Sequence, residues 1–183
     1  AGKLNHETAF VLERFGVPAT VFVATGYLDG GLMFNDAITE AVRAAPERLD
    51  LSDLGLGRLE LPDVPARRAT IRRLVGELKY RPAEERPALA AEIFRRAGAT
   101  PPRDLMLTTS QVRSLRDAGV EIGAHTATHP ILTRLSPEAA REDIAGSRQV
   151  LEGILGDPVR LFAYPNGRPG EDYDARHVAM VRE

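Results

Sequence analysis

The stretch GAHTATHP, residues 123–130, sets two histidines four positions apart, His125 and His129, among threonines and before Pro130. Neutral imidazole is the commonest protein ligand for divalent metals, so a close pair raises the question of a metal site. On an α-helix this spacing would put both rings on one face. Gly123, Pro130, Thr126 and Thr128 argue instead for the end of a strand and the loop beyond it. On spacing alone, two unrelated surface histidines are the commoner explanation. The chain has no cysteine, so any metal must sit on histidine and carboxylate. A second stretch, FAYPNG at 162–167, combines an aromatic residue, a proline and a glycine that fix a rigid loop. Read plainly, it is a strand-terminating turn. Read functionally, Tyr164, Pro165, Asn166 and Gly167 form a substrate-binding wall whose backbone N–H groups could face a developing oxyanion.

The elements that must position these residues follow an αβ rhythm. A helix is expected over 5–16, then a strand over 17–25 whose β-branched and aromatic run suits burial on both faces of a parallel sheet. Gly26, Gly30 and Gly31 open a loop. From about 32 to 107 the pattern changes to helices over 35–45, 65–80 and 83–98, with GRLEL at 57–61 the one candidate strand. The arginine-rich faces here read as solvated helix surface. The rhythm then resumes. A helix over 107–119 stops at Gly119, and a strand over 120–125 ends at the histidine loop. A long helix follows, with Ser136 as N-cap, Pro137 in the first turn and Gly156 beyond the end. A strand over 159–165 and a last helix from Ala175 complete the chain. Such alternation with short connections implies parallel strands, hence an α/β fold. In that architecture the carboxyl edge of the strands carries ligand sites, which moves the histidine pair toward metal.

Composition removes other classes. A net charge of −2 over 183 residues gives no basic excess for a nucleic-acid partner. No apolar run approaches the roughly 20 residues that span a bilayer. With 43% hydrophobic and 27% charged residues the balance is that of a soluble globular protein.

Taken together, the two motifs bring a resemblance. The chain resembles the polysaccharide deacetylase family (carbohydrate esterase family 4, the NodB homology domain). That family's H-[S/T]-x-x-H-[P/S] motif is matched by His125, Thr126, His129 and Pro130, and its proline-glycine loop by Tyr164, Pro165 and Gly167. FGVPATVFV also looks like the strand after the family's first motif. The resemblance covers residues 1–31 and about 105–183. It implies a partial (β/α)7-type barrel, here one domain over 1–183 with a helical insertion at 32–107. It further implies a divalent metal, zinc by preference, held by His125, His129 and an aspartate, in an enzyme that removes N-acetyl groups from sugars or polysaccharide. In the family a second aspartate serves as general base and a late histidine protonates the leaving amine.

This chain departs from the family at both ends. The T-F-D-D-G motif that supplies both aspartates is absent and would fall just upstream of Ala1. The acid histidine would follow the last helix. The base and the acid are therefore expected outside the given chain, and the catalytic residues are unassigned. Ala163 stands where the family often has an arginine. Asp29 is a stand-in carboxylate by position, although a turn role suits it better. His6 and His177 read as helix-surface residues. The alternative reading is a catalytically inactive deacetylase-like domain that binds carbohydrate or a partner protein. The expected partner is a carbohydrate substrate. Sugar identity and oligomeric state stay open, as does the compartment, with a slight lean to the cytoplasm.

Overall fold

The computed structural model describes residues 14–82 and 85–183. In chain order these contain β1 (Thr20–Val23), α1 (Phe34–Ala44), β2 (Arg48–Leu51), β3 (Gly57–Glu60), α2 (Val64–Leu78), α3 (Arg86–Ala97), α4 (Thr109–Asp117), β4 (Glu121–Ala124), α5 (Pro137–Leu155) and α6 (Ala175–Arg182). The fold is α/β, and it divides into two compact units, one of residues 32–103 and one of the flanking residues. The helix expected over 5–16, apart from its last residues, and His6 lie outside the described residues.

The 32–103 unit holds three helices and a hairpin. In α1 the apolar positions Ala37, Ile38, Ala41 and Val42 fall on one helical face and are buried. They meet Ala90, Ile93, Phe94 and Ala97 of α3 and Leu74 and Leu78 of α2 in one core. Asp63 caps α2 by accepting from the Ala66 N–H at 2.8 Å. Arg67, one turn in, donates to the carbonyls of Val42 and Ala45 at 2.6 and 2.8 Å, satisfying the open end of α1. GRLEL does form a strand, but its partner was not expected. β3 pairs antiparallel with β2, Leu49 opposite Leu59. RLDL alternates, with Leu49 and Leu51 buried and Arg48 and Asp50 exposed, which is the period of a half-buried strand.

The other unit carries the parallel pairing. β1 and β4 align with Val21 opposite Ile122 and Val23 opposite Ala124. Beyond β4, Ala124 also bonds both ways to the next segment, donating to Leu161 O at 2.8 Å and accepting from Ala163 N–H at 3.0 Å. The strand expected over 159–165 is therefore corrected to a single parallel bridge at Phe162, because only Ala124 exchanges ladder bonds with it. Burial of β1 on both faces is corrected too. Val23 is buried, yet Thr20 and Phe22 are exposed, because among the described residues only one face is covered. That face, with Val23, Ile122 and Ala124, packs on Val112 and Leu115 of α4 and Leu151 of α5. On the other face the Phe22 ring lies across Gly123, where a Cβ would come within 2.5 Å of it. Helix signals read directly: Thr108 and Gln111 form a capping box on α4, Ser136 caps α5, and Gly156 ends it in the left-handed region at φ +72°.

Candidate metal centre

β4 ends at Ala124, and the next residue is His125, so the first imidazole stands at the carboxyl edge of the parallel pair. Its Nδ1 lies 2.8 Å from the Ala163 carbonyl. A carbonyl only accepts, so Nδ1 carries a proton, which in the neutral ring leaves Nε2 as the nitrogen with the lone pair that a metal ligand needs. Ala163 thus acts here through its backbone carbonyl. His129 meets His125 edge to face, with ring centroids 4.7 Å apart and planes at 74°.

The loop between them is an unusual piece of backbone. Thr126 and His129 both lie in the left-handed region, at φ +63° and +55°, which non-glycine residues occupy rarely. Thr126 is fully buried. Its hydroxyl donates to the His125 carbonyl and accepts from the His129 N–H at 3.0 Å, closing the loop on itself. From the β1 side, Thr25 N–H and Gly26 N–H donate to the carbonyls of Thr126 and Ala127 at 3.2 and 2.9 Å, and the Tyr27 hydroxyl donates to Thr128 O at 2.9 Å. From α5, the Asp143 carboxylate accepts the N–H groups of Ala127 and Thr128. Sequence reading missed Asp143: a carboxylate midway along an amphipathic helix gives no signal of the loop it serves.

The 162–167 segment borders the same edge. Tyr164 stacks on Tyr173 with centroids 4.0 Å apart and meets Phe162 edge to face at 5.1 Å. Burial pushes the Tyr164 hydroxyl pKa up, keeping it protonated. Pro165 is buried, and Asn166 turns the chain at φ +62°. The Gly167 N–H donates to Pro165 O at 2.7 Å, a γ-type turn that removes this donor from any outward role. Among the described residues, the N–H groups of Tyr164 and Asn166 have no such partner.

An open divalent site takes three protein ligands, of which two imidazoles would be two. Among the described residues no group of three or more His, Asp or Glu is arranged to hold a metal. Asp29 does not serve as the third. It accepts from Thr109 N–H and its hydroxyl at 2.8 and 2.6 Å, and these bonds hold its carboxyl below the usual carboxylate range. His177 is corrected from surface to core. It is 2% exposed, and its Nδ1 accepts from the Asp174 N–H at 3.0 Å in a capping box at the start of α6.

The polysaccharide deacetylase family model matches residues 59–182. The chain belongs to the polysaccharide deacetylase family. The match begins in β3 and includes the His125–His129 loop and the Tyr164–Gly167 turn; residues 1–31 lie outside it. A Bacillus subtilis (strain 168) protein, YxkH, provisionally named a polysaccharide deacetylase, is 27% identical over 66 residues, covering 36% of this chain and 24% of its own length. The crystal structure of BC0361, a polysaccharide deacetylase from Bacillus cereus, matches with 31% identity and a TM-score of 0.38, covering 43% of this chain and 23% of that one. The regions matched thus span about a quarter of each relative's length. No helix of this family member is long and apolar enough to cross a membrane among the described residues.

Proposed function

We propose that this chain supplies His125 and His129 to a divalent metal, zinc by donor type, in a hydrolase that removes N-acetyl groups from carbohydrate. Family membership supports the chemistry, and the partial (β/α)7-type barrel is its expected frame. The observation that carries the metal reading is the 2.8 Å contact from His125 Nδ1 to the Ala163 carbonyl, because it fixes the ligand-competent tautomer. The left-handed His129 beside it supports the same reading, since strained non-glycine backbone persists where a site requires it. A carboxylate would complete such a donor set. When bound, such a cation polarises an amide carbonyl and acidifies water, which an amide's resistance to hydrolysis demands.

The chain's own residues have narrower tasks. The Ala163 carbonyl holds the His125 imidazole, and the Thr126 hydroxyl holds the backbone N–H of His129. The N–H groups of Tyr164 and Asn166 are the donors left to meet a substrate oxygen, while Gly167 is spent on the turn. Tyr164 and Tyr173 form an apolar wall beside them.

The test uses the full-length gene product. Metal content by mass spectrometry should show stoichiometric zinc, and acetate should be released from N-acetylglucosamine oligomers. His125→Ala should lose the zinc and lower acetate release by more than about 100-fold, beyond what removal of a ligand's supporting partner does. A protein that holds no divalent metal, or one indifferent to that substitution, would refute the metal reading.

A further inference from the structure

We propose that Asp143 is a positioning residue for the metal loop: from α5 it sets the conformation that brings His129 beside His125. This rests on the reading of His125 and His129 as metal ligands. Asp143 Oδ1 accepts the Ala127 N–H at 2.7 Å and the Thr128 N–H at 3.2 Å, and Oδ2 accepts the Thr128 hydroxyl at 2.7 Å. Ala127 and Thr128 lie midway between the two histidines. Their carbonyls are gripped from the opposite side by the Gly26 N–H and the Tyr27 hydroxyl. Both polar groups of both linking residues are therefore held, the donors by one carboxylate and the acceptors by one turn.

The arrangement has a direction. Thr126 and His129, on either side of the held pair, occupy backbone conformations that a free loop would leave. Hydrogen bonds to a carboxylate are charge-assisted and stronger than those between neutral groups, and three of them converge here. Without Asp143, two N–H groups lose their acceptors and the loop is free to relax at Thr126 and His129. The imidazoles would then need to be reassembled on metal binding, which weakens affinity without removing either ligand. Glu142, next along the helix, is exposed and makes none of these bonds, so it is the natural control.

The experiment titrates zinc into wild type, Asp143→Ala, Asp143→Asn, Glu142→Ala and Thr108→Ala, and reads amide exchange in the metal-free proteins. Thr108→Ala removes the α4 cap in the same unit and controls for loss of stability alone. Asp143→Ala should raise the zinc Kd by about 10- to 100-fold and speed exchange at Ala127 and Thr128. Asp143→Asn keeps one oxygen for the two N–H groups and should recover most of the affinity. Glu142→Ala and Thr108→Ala should bind zinc as wild type does. If wild type binds zinc and Asp143→Ala binds it equally well, the proposal is overturned while the metal reading stands. An equal loss in Thr108→Ala would also overturn it, as a general effect of stability. If wild type fails to bind zinc, it is the metal reading that falls, and this proposal falls with it.

Discussion

Among the described residues of 32–103, left-handed backbone falls on glycines: Gly55, Gly57 and Gly98. In the flanking unit it falls also on Asp29, Thr126, His129 and Asn166. Each of these four follows β1, β4 or the bridge at Phe162, and three of them are held by side chains or a tight turn. Asp29 is anchored on Thr109, His129 on the Thr126 hydroxyl, and Asn166 sits inside the Pro165–Gly167 turn. Among the described residues, one unit places unusual backbone where no side chain resists it; the other places it under chemistry-bearing residues and holds it by hydrogen bonds. The energetic bases differ accordingly. Among the described residues, the first rests on one continuous apolar cluster, whereas the second divides its burial between two smaller ones.

The largest effect that can test this contrast is in the first unit. Ile93 is fully buried among α1, α3 and the hairpin leucines. Ile93→Ala should destabilise the protein by about 2–5 kcal/mol, as removal of a buried side chain leaves a cavity. Urea denaturation measures it. Zinc affinity should stay within a factor of about two, since Ile93 belongs to neither of the flanking unit's clusters. A large loss of zinc affinity would break the separation between packing and site.

A smaller effect probes the second unit directly. A Cβ on Gly26 would sit 2.8 Å from the Ala127 carbonyl oxygen, a backbone atom of the histidine loop. Gly26→Ala should therefore destabilise by about 1–3 kcal/mol, and unlike Ile93→Ala it should weaken zinc binding. Equal stability loss with unchanged zinc affinity would mean the loop tolerates displacement, against the tight grip described above.

How far the sequence discloses this arrangement depends on the range of the interaction. Local signals are legible: Ser136 and Gly156 mark the ends of α5 through bonds three or four residues long. The histidine pair and the proline turn are legible because motif and strand end lie side by side. β2 escaped notice because RLDL runs straight into Ser52, Asp53 and Gly55, which read as loop, although its alternation is that of a strand. Residues 159–163 carried strand composition, but pairing is a property of neighbours, and one residue pairs. His177 was misread because an imidazole replaces the usual carboxylate or amide at the third position of a capping box; Met180, three residues on, shows which face is buried. The Ala163 carbonyl and Asp143 act across 38 and 16 residues, and composition carries no trace of either.

The smallest effect compares two carboxylates, one in each unit, that are held equally low and used differently. Glu92 on α3 accepts from Arg95 and Arg96, which bring its pKa down to about 2. Asp174 accepts from Arg176, which brings its own down to about 2 as well. In both, the folded value lies below the unfolded value of about 4. Each contribution to stability is thus complete above that range and is lost as pH falls from about 4 toward 2. Glu92 lies in the last half of its helix, where it braces arginines on the surface. Asp174 is an N-cap, accepting the Arg176 N–H at 2.9 Å and donating its own N–H to His177. Its protonation weakens an acceptor that the first turn of α6 needs, whereas protonation of Glu92 leaves the α3 ladder whole. Carboxyl carbon shifts in an acid titration should give both midpoints near 2. Amide exchange should quicken in the first turn of α6 and not in α3 over the same range. An Asp174 midpoint near 4, or equal fraying of the two helices, would remove the distinction between a carboxylate that caps and one that only pairs.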